Sequence, residues 1–140
     1  MFFVRCTARI NIFHRLAPEH PFPTGVHDCW DALKWAISNA KMLNADPRKG
    51  LIVGGSSAGG NLSAIMALLS RDEKLDPPIT GQYLSVPALL SPGNVPRDLQ
   101  DEYRSRSSSL DDPVLKGADL DMVFGMTNGF FFLHRCLSSL

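Results

Sequence analysis

No run in this 140-residue sequence approaches the ~18 consecutive apolar residues of a membrane-spanning helix, so a helical span is not expected. An excess of one charge is missing too, since 14 Lys and Arg balance 14 Asp and Glu. A net charge of zero gives no electrostatic draw toward nucleic acid or an anionic bilayer surface. Cysteine is scarce: Cys6, Cys29 and Cys136 are odd in number and far apart. They form no CxxC or Cys/His spacing for zinc and no even framework for a disulfide scaffold. Free thiols in a reducing, cytoplasmic compartment are the expectation. The N-terminal MFFVRCTARINIF is apolar, but Arg5 and Arg9 break the uninterrupted core that a signal peptide needs. There are no internal repeats. What remains, 44% hydrophobic and 20% charged residues, is an ordinary globular composition that fits one domain over residues 1–140.

Period and punctuation divide the chain. Residues 8–14 (ARINIFH) alternate loosely and predict a strand, followed by a loop with three prolines in RLAPEHPFPTG. Val26, Trp30, Leu33, Ile37 and Ala40 then fall on one helical stripe, and the helix is expected to stop near Asn44 because Pro47 disfavours helical geometry at Asp46. Leu51-Ile52-Val53 predicts a short strand buried on both faces. Residues 59–71 predict a second helix, with Leu62, Ile65, Met66, Leu68 and Leu69 apolar. Residues 79–89 predict another strand, ending about where Pro87 removes a ladder donor. Alternating strands and helices imply an α/β fold with mainly parallel strands. Beyond Leu90 the pattern weakens to a polar, serine-rich stretch, a short helix over Asp119–Met126 and an unpatterned tail over 127–140.

The informative segment is LIVGGSSAGGNLSA, residues 51–64. Gly55-Ser56-Ser57-Ala58-Gly59 matches G-x-S-x-G, with a strand expected before it and a helix after it. A sharp strand-to-helix turn forces the serine into a strained backbone and brings the chain close to itself on either side, so glycine is expected at 55 and 59. It also sets Ser57 at a helix N-terminus, where free N–H groups favour developing negative charge. Ser57 is therefore the candidate nucleophile and the Ala58 N–H the candidate oxyanion donor. A glycine-serine loop before a helix can also hold phosphate, although the lysine of a P-loop is missing. Asn61-Leu62-Ser63 fits a glycosylation triplet, and its place behind the serine loop makes that match read as accidental.

Wider stretches carry a resemblance. His14-Arg15-Leu16-Ala17-Pro18-Glu19-His20-Pro21-Phe22-Pro23, then Asp28, Ala32-Leu33 and Trp35, then Asp46-Pro47, then Gly55 through Leu62 are similar to the hormone-sensitive-lipase-like branch of the α/β-hydrolases. That "fold-3" group contains esterases and lipases, and the resemblance runs over about residues 10–125. It implies a carboxylic-ester hydrolase acting on a small-molecule ester or lipid, with no metal or organic cofactor. Two positions depart mildly, His14 where the family has Tyr and Ser56 where it has Asp. His14, His20 and His27 read as structural or exposed, because the family's histidine follows the serine.

Larger departures are absences. No His-Gly-Gly-Gly oxyanion loop precedes Ser57. The family's acid and histidine follow two further strands, farther beyond the serine than this sequence extends. The downstream sequence offers only His134 as base, with Asp111, Asp112, Asp119 or Asp121 as acid. The strand that should lie between the first expected strand and the elbow strand also has no counterpart. The expectation is a partial α/β-hydrolase fold lacking N-terminal strands and the C-terminal strands that carry acid and histidine. It would be a fragment or a product of misjoined exons, with little turnover of its own. A non-catalytic ligand-binding protein of the same fold, as in plant gibberellin receptors, a non-functional truncated product, or an amidase acting on small N-acyl substrates are the alternatives.

Overall fold

The computed structural model describes residues 8–90 and 95–104, with Pro113 and Gly117. The element order is helix α1 (Thr24–Ser38), strand β1 (Ile52–Ser56), helix α2 (Ala58–Asp72) and strand β2 (Gly81–Ser85), with short 3₁₀ turns at Pro47–Lys49 and Arg97–Leu99. β1 and β2 pair in parallel, Ile52 opposite Gly81 through Ser56 opposite Ser85. Parallel strands need a crossover, and α2 supplies it. Thr80 extends the pairing by one residue: its N–H donates to the Leu51 carbonyl at 2.8 Å, and its Oγ1 accepts from the Leu51 N–H at 2.9 Å.

The helical stripe read from sequence is the buried one. Val26, Cys29, Trp30 and Leu33 of α1 cluster with Ile65 and Met66 of α2, and Phe22, Leu51, Val53, Leu62 and Leu69 pack around them. Burial pushes the Cys29 thiol up to about 11, so the sulfur stays protonated and unreactive near neutral pH. The helix ends sooner than expected, at Ser38 rather than near Asn44. Asn39 is the cause: its side-chain amide and its backbone N–H both donate to the Trp35 carbonyl, at 2.8 and 2.9 Å, and close the helix. Turns then carry the chain to Asn44, so Ala40 lies beyond the helix.

Two strand expectations change. Residues 8–14 form neither helix nor ladder among the described residues, with Ile10 and Ile12 each 44% exposed and Phe13 96% exposed. A segment without a strand partner leaves its backbone groups to water, and no described residue pairs with it in a ladder. The Leu51–Val53 strand is buried on one face only. Val53 and Gly55 turn toward α2, whereas Ile52 is 62% exposed and Tyr83 67% exposed on the opposite face. The expected helix over Asp119–Met126, the tail over 127–140, and Cys6 and Cys136 lie outside the described residues. Among the described residues, no helix is long and apolar enough to cross a membrane.

Candidate active site

Ser57 stands between the last residue of β1 and the first residue of α2. Its backbone has φ 53° and ψ −116°, a left-handed conformation that costs a non-glycine residue about 1–3 kcal/mol. The strain is over-determined by its surroundings. The Ser57 N–H donates to the Ser85 carbonyl at 2.9 Å, which ties the bend to the end of β2. The Ser57 carbonyl accepts from the Asn61 N–H at 3.1 Å and so starts α2. Ser57 is exposed, and its hydroxyl makes no capping bond to the helix. The oxygen is thus presented to solvent at a helix N-terminus. Ala58 is the first helical residue, so its N–H has no intrahelical acceptor.

The glycines divide differently from the motif. A Cβ on Gly55 would lie 2.4 Å from the Gly59 carbonyl carbon and 2.8 Å from its Cα, so Gly55 has no room for a side chain. At Gly59 a Cβ would meet nothing within 4 Å among the described residues. Among the described residues the crowding expected at both glycines is one-sided: the residue at 55 aims into its neighbour and the residue at 59 does not. Instead Gly60 is crowded, because a Cβ there would lie 3.1 Å from Pro87 Cβ and 3.2 Å from the Gly55 carbonyl oxygen.

Asn61 adds a second tie. Only 6% exposed, it donates its side-chain amide to the Ala88 carbonyl at 2.7 Å. That bond occupies the nitrogen a glycosylation triplet would need. Sequence reading missed the pair Gly60 and Asn61. Its signal was there, as Asn61 is a polar residue placed four before Ile65 on an apolar helical stripe.

The histidines before the serine do other things. His14 Nδ1 lies 2.9 Å from the Arg15 carbonyl and packs against Gly25, where a Cβ would come within 2.9 Å of the ring. His20 and His27 are exposed. Arg15 clamps the proline-rich loop to α1 through Asp28: Nη2 to Oδ1 at 2.6 Å, Nε to Oδ2 at 3.0 Å, and its backbone N–H to Oδ2 at 2.9 Å. The Arg15 side chain, and then its backbone N–H, hold the Asp28 carboxyl well below the usual carboxylate range. The remaining candidates, His134 and Asp111, Asp112, Asp119 and Asp121, lie outside the described residues.

The sequence matches the profile of an α/β hydrolase fold family over residues 5–129. It is 36% identical over 115 residues to an AB hydrolase superfamily protein of Schizosaccharomyces pombe, covering 82% of this chain and 34% of that protein. To a Mycobacterium tuberculosis carboxylesterase it is 45% identical over 87 residues, covering 62% of this chain and 27% of the other. The crystal structure of vibralactone cyclase superposes with a TM-score of 0.80 at 37% identity, covering 84% of this chain and 35% of that one. A Rhizomucor miehei esterase superposes with a TM-score of 0.65 at 30% identity, over 86% of this chain and 36% of the esterase. The chain thus spans about a third or less of the length of these relatives.

Proposed function

The chain belongs to the α/β hydrolase fold family, and from that premise we propose that its chemistry is carboxylic-ester hydrolysis, with Ser57 as the acyl-accepting nucleophile. Supporting this reading above all is the strained left-handed backbone of Ser57 between β1 and α2, with its hydroxyl uncommitted to capping. In this reading the Ser57 oxygen attacks the acyl carbon, and the Ala58 N–H donates to the oxyanion. The alcohol leaves, and water then releases the acid. Gly55 allows the bend that makes the arrangement possible.

The described residues supply a nucleophile and one oxyanion donor; His134, the candidate base that the sequence offers after Ser57, lies outside them. A serine hydroxyl without a base is a poor nucleophile. In one serine protease, losing the histidine costs about 10⁶ in turnover, or roughly 8 kcal/mol of barrier. Unless His134 serves as that base, the 140-residue chain alone is expected to turn esters over slowly. An exposed Ser57 also fits a ligand-binding member of the family, the second reading.

Two measurements test this. Long incubation with a fluorophosphonate, read by mass spectrometry, should place the adduct on Ser57 and lose it in Ser57→Ala. An adduct elsewhere, or one unchanged in that variant, refutes the nucleophile assignment. Turnover of p-nitrophenyl acetate should stay close to the uncatalysed rate; brisk turnover abolished by His134→Ala would instead identify His134 as the base. Ligand-dependent stabilisation without any adduct would favour the second reading.

A further inference from the structure

Four non-glycine residues among those described have positive φ: Asn44, Ser57, Lys74 and Val86. Asn44 and Lys74 lie in the turns that follow α1 and α2, where left-handed residues commonly end a helix. Ser57 and Val86 have no such explanation. Each is the first residue past its strand, β1 ending at Ser56 and β2 at Ser85, and those two residues face one another in the ladder. The Ser57 N–H bonded to the Ser85 carbonyl fixes the two bends side by side. Paired strands run about 4.8 Å apart, so the two bends are immediate neighbours. They also occupy the carboxyl edge of a parallel sheet, where ligands of open α/β folds bind.

Val86 is an unusual residue for such a bend. It is β-branched and precedes proline, and both features favour extended backbone, yet its φ is +39°. The following residues hold it there. Pro87 packs closely on Gly60, where a Cβ would lie 3.1 Å from the Pro87 Cβ, and the Ala88 carbonyl accepts from buried Asn61. Although the cluster of Val26, Trp30, Ile65 and Met66 offers apolar company, Val86 remains 77% exposed beside the exposed Ser57. The strained bend thus leaves an exposed apolar side chain next to the bend that carries Ser57.

We propose that Val86 is a specificity residue of this site, contacting the acyl part of the ester held at Ser57 and limiting its size. The inference rests on Ser57 being the nucleophile. Alkyl p-nitrophenyl phosphonates test it, their phosphorus-bound alkyl group standing in for the acyl chain. Ser57 oxygen bonds to phosphorus as the bond to p-nitrophenolate breaks, and the serine proton passes to solvent. Labelling rates are compared for methyl and hexyl phosphonates on the full chain and on Val86→Ala, Val86→Phe and Ser57→Ala. Circular-dichroism melts confirm that each variant folds.

The hexyl-to-methyl ratio should rise about tenfold in Val86→Ala and fall about tenfold in Val86→Phe, toward the low end of what one methylene is worth in an apolar pocket. Opposite shifts from trimming and enlarging one side chain are not what a purely structural role gives. An unchanged ratio on a labelled Ser57 overturns the role of Val86 and leaves the nucleophile standing. No Ser57 adduct in the unaltered chain overturns both. Should Val86→Phe fail to fold, Val86→Ala alone decides the outcome.

Discussion

Compare the stretch from Gly55 to Asn61 with the stretch from Ala8 to Leu16. In the first, each turn of backbone answers to another part of the chain: Ser57 to Ser85, Gly55 to Gly59, Gly60 to Pro87 and Asn61 to Ala88. In the second, the chain has no helix or ladder, Phe13 and Leu16 are exposed, and Arg15 binding to Asp28 is its main anchor. Both stretches look equally ordered as sequence motifs. The difference is that a conformation against local preference persists only where several independent contacts enforce it. An extended segment without a neighbouring strand gains nothing from its hydrogen-bonding groups beyond what water supplies.

The contrast can be broken most severely at Gly55. Gly55→Ala drives a Cβ into the Gly59 backbone and should cost at least about 3 kcal/mol, the upper end of overpacking costs, read by urea denaturation. Gly59→Ala is the internal control. With open space around it and a place inside α2, it should raise stability by up to about 1 kcal/mol. Equal losses in the two variants would refute the one-sided collision.

Removing a tie rather than adding an atom should do less. Asn61→Ala leaves the Ala88 carbonyl without its buried donor, at about 1–3 kcal/mol. Faster amide hydrogen exchange should follow in the Val86–Leu90 segment, measured by mass spectrometry. Unaltered exchange there would mean that Pro87 on Gly60 suffices to hold the segment.

The smallest effect belongs to the N-terminal clamp. Because the Asp28 carboxyl is held below its ordinary value, its pairing with Arg15 stabilises the fold fully above the unfolded carboxylate pKa of about 3.9. That contribution is lost as pH falls through the lower folded value. Asp28→Asn should thus lower the thermal midpoint slightly at pH 7 and converge with the unaltered chain in strong acid. The Arg15 side chain is 57% exposed, so solvent screening keeps the difference small. A large drop at pH 7 would show that residues 8–20 are held more firmly than their exposure implies.

Much of the arrangement was legible in advance. Period-3.6 patterning marked both helices, and a short apolar run before a glycine-serine turn marked β1 and the bend at Ser57. These signals are local, being set by how a few successive residues can fold. The α1 terminus was misplaced because Pro47 looked like the terminator, whereas the Asn39 side chain had already closed the helix at Trp35. Burial of β1 on both faces was also overstated. A run such as Leu51-Ile52-Val53 records that it is apolar but not how many layers cover it.

By itself, the sequence determined the bend that carries Ser57 and the helix that follows, because backbone sterics and side-chain period act over a few residues. Only the tertiary structure decided which glycines are indispensable, that Asn61 reaches Ala88, and that Val86 stands strained beside Ser57. Apart from the approach of Gly55 to Gly59, those facts join residues more than 25 positions apart. Register between β1 and β2 brings them together, and no nearest-neighbour preference encodes it.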